Sequence, residues 1–117
     1  MTESFFDEVW YVLTDPLRPG EHLTLSAAEV KYALVWTSSK AALDFSRELS
    51  AAKGMKVVPL YSWTLKDTFL TASEQLGATH LLIDYQPGSL QAAAAPIALA
   101  RQRIQPQAVD NGRSEND

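Results

Sequence analysis

Apolar residues along this chain fall into short runs separated by breaks rich in Pro, Gly, Ser and Thr. Val9 to Thr14, VWYVLT, is β-branched and aromatic and predicts a strand. The following DPLRPGE, with two prolines and a glycine, predicts a loop. HLTLS alternates polar and apolar positions, as a strand with one wetted face does. AAEV fits no single element, and KYALVW, Lys31 to Trp36, predicts the next strand. Trp10 and Trp36, inside strands, are expected in the core.

A three- and four-residue rhythm then replaces the short runs. Ala42, Phe45, Leu49 and Ala52 form one stripe of a helix over Lys40 to Lys53, with Gly54 as its stop. KVVPLY predicts a strand, and its proline, which lacks a backbone donor, places that strand at a sheet edge or beside a bulge. SWTLKDTFLTASEQLG predicts a helix capped by Thr64, with Asp67 three residues on. Its stripe is Leu65, Phe69, Ala72 and Leu76, and Gly77 closes it. THLLIDY predicts a further strand and QPGS a turn. The alanine-rich LQAAAAPIALARQRI predicts a helix kinked or split at Pro96, because an interior proline costs about 3 kcal/mol. Residues 1–8 predict a short lead-in, about one helical turn pinned by Phe5 and Phe6. Residues 105–117 are polar and aperiodic and predict a disordered tail.

The order is strand, strand, strand, helix, strand, helix, strand, helix. It predicts one α/β domain over residues 1–104, on the border of α+β. Its mixed sheet of about five strands begins as an antiparallel meander, continues as βαβ units, and carries helices packed against it.

Composition narrows the function classes. With 117 residues, 46% hydrophobic and 21% charged, the chain has the make-up of one globular domain. A net charge of -4 argues against a dedicated nucleic-acid surface. There is no cysteine, which removes disulfides, thiolate catalysis and Cys-based zinc sites. No apolar run approaches the roughly 20 residues of a membrane span. The start, MTESFFDEVW, carries acids where a secretory leader carries Lys or Arg. The expectation is a cytoplasmic protein that binds neither nucleic acid nor membrane.

Candidate chemistry gathers where strands end. Thr37-Ser38-Ser39 lies between an apolar strand and a helix. Free N–H groups there can hold an anion, or a hydroxyl oxygen can cap them. Phosphate loops need glycine for close approach, and this turn has none, which favours the cap. Asp15 and Asp84 each follow a strand and could pair around a magnesium ion, but Asp beside proline also makes ordinary turns. If the first and fifth strands run oppositely, the two acids lie at opposite ends. His22 and His80, the only histidines, have no metal-ligand spacing, and Ser38, His80 and Asp84 lack the elbow a hydrolase triad needs. Trp63 and Tyr85 fall just past strand ends, where α/β sheets collect ligands and aromatic anchors meet partners; both could equally cover the sheet end. Ala92 to Ala95 could offer a close-packing surface to another helix or subunit.

Several of these segments carry a resemblance. Trp36-Thr37-Ser38 with Ala41-Ala42-Leu43, then Val57-Val58-Pro59-Leu60 and Gly77-Ala78, make residues 9–104 similar to the N-terminal domain of the SseB-like family of bacterial proteins. In that family the strand ends near Asp-Pro or Asn-Pro; here Asp84-Tyr85-Gln86-Pro87 puts two residues between the acid and the proline. The resemblance implies no catalytic residues and no cofactor. The expected function is therefore a non-catalytic protein-interaction or binding module, with a protein partner or a homodimer as its complex. The alternative is a small-ligand binder or small enzyme using Thr37, Ser38, Trp63, Asp84 and Tyr85. No cofactor and no metal are expected.

Overall fold

The computed structural model describes residues 4–18, 21–49, 52, 54–87 and 92–116. Part of the first loop (19–20), the expected end of the second helix (50–51 and 53), half of the QPGS turn with Leu90 and Gln91 (88–91), and both extreme termini lie outside the described residues.

The chain folds as α1 (Ser4–Asp7), β1 (Trp10–Thr14), β2 (Thr24–Ala27), β3 (Val30–Val35), α2 (Ser39–Glu48), β4 (Lys56–Leu60), α3 (Trp63–Gln75), β5 (His80–Ile83), β6 (Ala93–Pro96) and α4 (Ile97–Asn116). A mixed four-stranded sheet has the order β2-β3-β5-β6, in which only β3 and β5 are parallel. A second sheet pairs β1 antiparallel with β4. The two are joined where Tyr11 exchanges backbone bonds with Trp36 (2.8 and 2.9 Å) and Leu23 N–H donates to the Leu13 carbonyl. This is the mixed α/β architecture that the alternation of runs predicts. The antiparallel meander survives as the β2–β3 hairpin, while β1 turns its other edge to β4.

Period-two alternation distributes the core onto two faces. Trp10 and Val12 of β1, Ala33 and Val35 of β3, and Leu81 and Ile83 of β5 face a layer that includes Phe69 and Leu70 of α3 and Ile97, Ala100 and Ile104 of α4. Leu13, Leu34 and Trp36 face the other layer, with Ala42 and Phe45 of α2. Both strand tryptophans are fully buried, as expected.

The hairpin explains AAEV. Ala28 (φ 51°) and Glu29 (φ 67°) are the two residues between β2 and β3, both in the left-handed region, as a two-residue type I′ turn demands. Neither is the Asn or Gly that announces such a turn.

Five expectations are corrected. The alanine run Ala93–Pro96 is not helix but the edge strand β6, paired with β5 from Ile83↔Ala93 to His80↔Pro96. Pairing to β5 outweighs alanine's helix propensity, and Pro96 ends the strand rather than kinking a helix. The helix stripe resumes only at Ile97, Ala100 and Ile104, and α4 runs on to Asn116 through the segment expected to be a disordered tail. The cap of α3 is Ser62, whose Oγ accepts from Leu65 N–H at 3.1 Å, not Thr64. The buried face of α3 is Lys66, Phe69, Leu70 and Ser73, one step off the predicted stripe. Gly77 does close that helix, at φ 94°: its N–H donates to the Glu74 carbonyl and Ala78 N–H to the Ser73 carbonyl. The α2 helix stops at Glu48, short of the expected Lys53.

Among the described residues no helix is long and apolar enough to cross a membrane.

Candidate functional site

The parallel pair β3–β5 brings two strand exits side by side. Val35 is in register with Ile83, so Thr37 and Asp84 emerge together. Asp84 Oδ1 accepts from Thr37 N–H at 2.8 Å, and Asp84 Oδ2 accepts from Thr37 Oγ1 at 2.8 Å. Asp84 itself sits at φ 57°, a conformation that Asp tolerates better than most side chains. Its N–H donates to the Val35 carbonyl at 2.9 Å, which locks the turn to β3.

Around this clamp the neighbours are also engaged. Ser38 is the N-cap of α2, its Oγ accepting from Ala41 N–H at 3.1 Å. The Trp36 indole N–H donates to the Tyr85 carbonyl at 2.9 Å. The half-buried Tyr85 ring leans on Phe45, 5.9 Å between centroids. Gln86 Nε2 donates to the Ala41 carbonyl at 2.9 Å. Beside the cluster lies an open groove of about 450 Å³, lined by Ser38, Lys40, Asp44, Glu48, Gln86 and Pro87. Lys40 Nζ and Asp44 Oδ2, one turn apart on α2, are paired along its α2 wall at 3.0 Å.

Four of the five candidate residues, Thr37, Ser38, Asp84 and Tyr85, are thus assembled at one sheet end. Trp63 is not with them. It is half-buried against the opposite layer, where the Lys66 ammonium stands 4.7 Å from its ring centroid and 5.2 Å from that of Trp10. Lys66 Nζ donates to the Phe6 carbonyl at 2.7 Å and so ties α3 to α1. Burial pulls the Lys66 amine below its ordinary value, while Asp7 and Glu8 pull the other way. Nothing in the sequence pattern marks this lysine except its place three residues after Trp63 and three before Phe69, on the buried face that it shares with Phe69, Leu70 and Ser73.

Asp15 is at the far end of the sheet from Asp84, because β1 runs antiparallel to β3 and β3 parallel to β5. Its Oδ1 accepts from Leu17 N–H at 2.9 Å, which is turn chemistry. His22 is half-buried edge-on to Phe69, 4.7 Å between centroids, with Nδ1 buried and, among the described residues, unpartnered; burial holds its imidazole below the ordinary value. His80 pairs locally with Thr79 Oγ1 at 2.8 Å. Among the described residues no three His, Asp or Glu side chains converge as a metal site would require.

Residues 7–101 match the family described as a protein of unknown function (DUF3234), and the chain belongs to that family. No curated protein matches it.

Proposed function

We propose that this domain is a non-catalytic protein-interaction module of the cytoplasm. The observation that carries the reading is the mutual satisfaction of Thr37 and Asp84. A carboxylate poised as general base or metal ligand keeps an oxygen directed at its substrate. Here both oxygens are engaged by one threonine, and the neighbouring Ser38 oxygen is engaged by its own helix. The strand-end cluster therefore supports a scaffold role. The shared motifs with SseB-like domains point the same way, since that family implies no catalytic residues.

The second reading, a small-ligand binder, is favoured by one feature, the polar groove beside the clamp. Native mass spectrometry of gently purified protein separates the two. The interaction reading expects a spectrum without added small-molecule mass and complexes with protein, either a partner or a second copy. A retained mass of a few hundred daltons that is lost in a Ser38→Ala/Asp84→Asn variant would replace it with the ligand reading.

A further inference from the structure

The outer edge of β4, unpaired among the described residues, is a patterned surface. Tyr11 directs both its N–H and its carbonyl to Trp36, and the Leu13 carbonyl is directed to Leu23. Both residues therefore turn away from β4. In an antiparallel pair, residues opposite such positions turn their own backbone groups outward. Those residues are Val57, opposite Leu13, and Pro59, opposite Tyr11. The outer edge of β4 thus offers the Val57 N–H, the Val57 carbonyl and the Pro59 carbonyl. Pro59 lacks a donor on this side, which blunts the edge without closing it. Among the described residues, Val57 N–H and carbonyl have no partner.

Beside that edge runs a groove of about 620 Å³ between α2 and β4. Its apolar lining is Leu43, which is 41% exposed, with Met55 and Val57. Its two charged lining residues are both lysines, Lys40 and Lys56, in a chain whose net charge is -4. Lys40 is already paired with Asp44, whereas Lys56 has no ion pair among the described residues. A backbone edge with one donor and two acceptors, an adjoining apolar trough and the exposed lysine Lys56 together specify an occupant. Strand addition uses the edge for affinity and reads alternate side chains in the trough.

We infer that β4 is a docking edge for an extended segment of a partner protein in which apolar and acidic residues alternate. The segment pairs at Val57, places its apolar side chains over Leu43, Met55 and Val57, and sets its carboxylates against Lys56. This rests on the interaction-module reading and adds to it a surface and a partner chemistry.

The test is a display selection with the whole protein as bait and three pools of eight-residue peptides. Alternate positions are apolar in every pool, and the intervening ones are Asp/Glu, Lys/Arg or Ser/Thr. Enrichment of the acidic pool is expected, and a selected peptide should shift the amide resonances of Leu43, Met55 and Val57 and slow exchange of the Val57 amide. Lys56→Glu, a change at an exposed side chain, should weaken that peptide at least tenfold and turn the preference toward the basic pool. Equal enrichment of the pools, or no selected peptide, overturns the inference. So does concentration-dependent protection of Val57 without peptide, which assigns the edge to a second copy. Peptides that shift resonances on another face overturn this docking edge and leave the interaction reading standing. That reading falls separately, through a retained small molecule in the native spectrum.

Discussion

Asp84 holds Thr37 by both of its carboxylate oxygens, at 2.8 Å each, from a backbone position with φ 57°. The clamp ties the exits of the two parallel strands, and its strength can be divided by substitution. Asp84→Ala loses both bonds and leaves a Cβ in the left-handed region; Asp84→Gly loses the bonds but tolerates the backbone. We expect the alanine variant to lose about 2 kcal/mol and the glycine variant about 1 kcal/mol less than that. Asp84→Asn, which keeps acceptor and backbone tolerance, should lose least. Urea midpoints at unchanged slope read the order. Equal losses for Ala and Gly would show that no backbone strain is stored there.

The β2–β3 turn stores strain of the same kind. Ala28 and Glu29 occupy positive φ without the side chains that favour it. Replacing the pair by Asn-Gly should raise stability by about 1 kcal/mol, because the Cβ penalty at Glu29 disappears and Asn tolerates its position better. A thermal melt several degrees higher is expected. An unchanged melt would mean the turn already relaxes its strain.

Helix α3 offers a comparison between two hydroxyl residues separated by Trp63. Ser62 Oγ accepts from Leu65 N–H, while Thr64 is exposed inside the first turn. Ser62→Ala should cost about 1 kcal/mol. Thr64→Ala should stay within about 0.5 kcal/mol of the parent. Matched denaturant curves decide, and a larger loss at Thr64 would move the cap.

His22 predicts an acid-sensitive packing contact. Its imidazole is held below the ordinary 6.5 by burial, edge-on to Phe69, with Nδ1 unpartnered among the described residues. The native state therefore takes up its proton at lower pH than the unfolded chain does. Stability from this residue is complete above 6.5 and is lost as pH falls from there through the native value. His22→Phe removes the titration. The stability of the parent minus that of His22→Phe should therefore fall between pH 7 and pH 5, with losses at the carboxylates cancelling in the difference. A pH-independent difference would contradict the assignment.

The sequence made some of these relationships legible and hid others for physical reasons. Short β-branched, aromatic and apolar runs located β1, β3, β4 and β5 and the buried tryptophans, and alternation in HLTLS located β2, because both patterns record which residues meet the core. A cap within Thr37-Ser38-Ser39 was legible because capping is local: hydroxyl, turn and helix are contiguous in the chain, and Ser38 is the residue that makes it. The Thr37–Asp84 clamp spans 47 residues, and only the parallel register of β3 and β5 brings it together. Trp63 was misplaced because β4 left the parallel sheet to pair with β1, which sends the start of α3 to the opposite layer. The strand in Ala93–Pro96 was hidden because alanine records no face, so the backbone bonds of β5 decided.

Pro59 gives the last prediction, and the sequence did point to it. A proline in a strand belongs at an edge, and β4 is one, with the missing donor on its open side. Pro59→Val restores an N–H there beside that of Val57. The edge would then present two donors and two acceptors in a row flanked by β-branched residues, a template for pairing with another chain. The variant should keep its fold, since Pro59 makes no ladder bond to Tyr11 in this register. It should self-associate as concentration rises, which sedimentation velocity reads directly. Adding Val57→Lys to Pro59→Val should reverse the association, because a charged side chain on an edge strand opposes pairing. A Pro59→Val protein with parental sedimentation at all concentrations would mean that this edge is already shielded, and that proline is not what keeps it open.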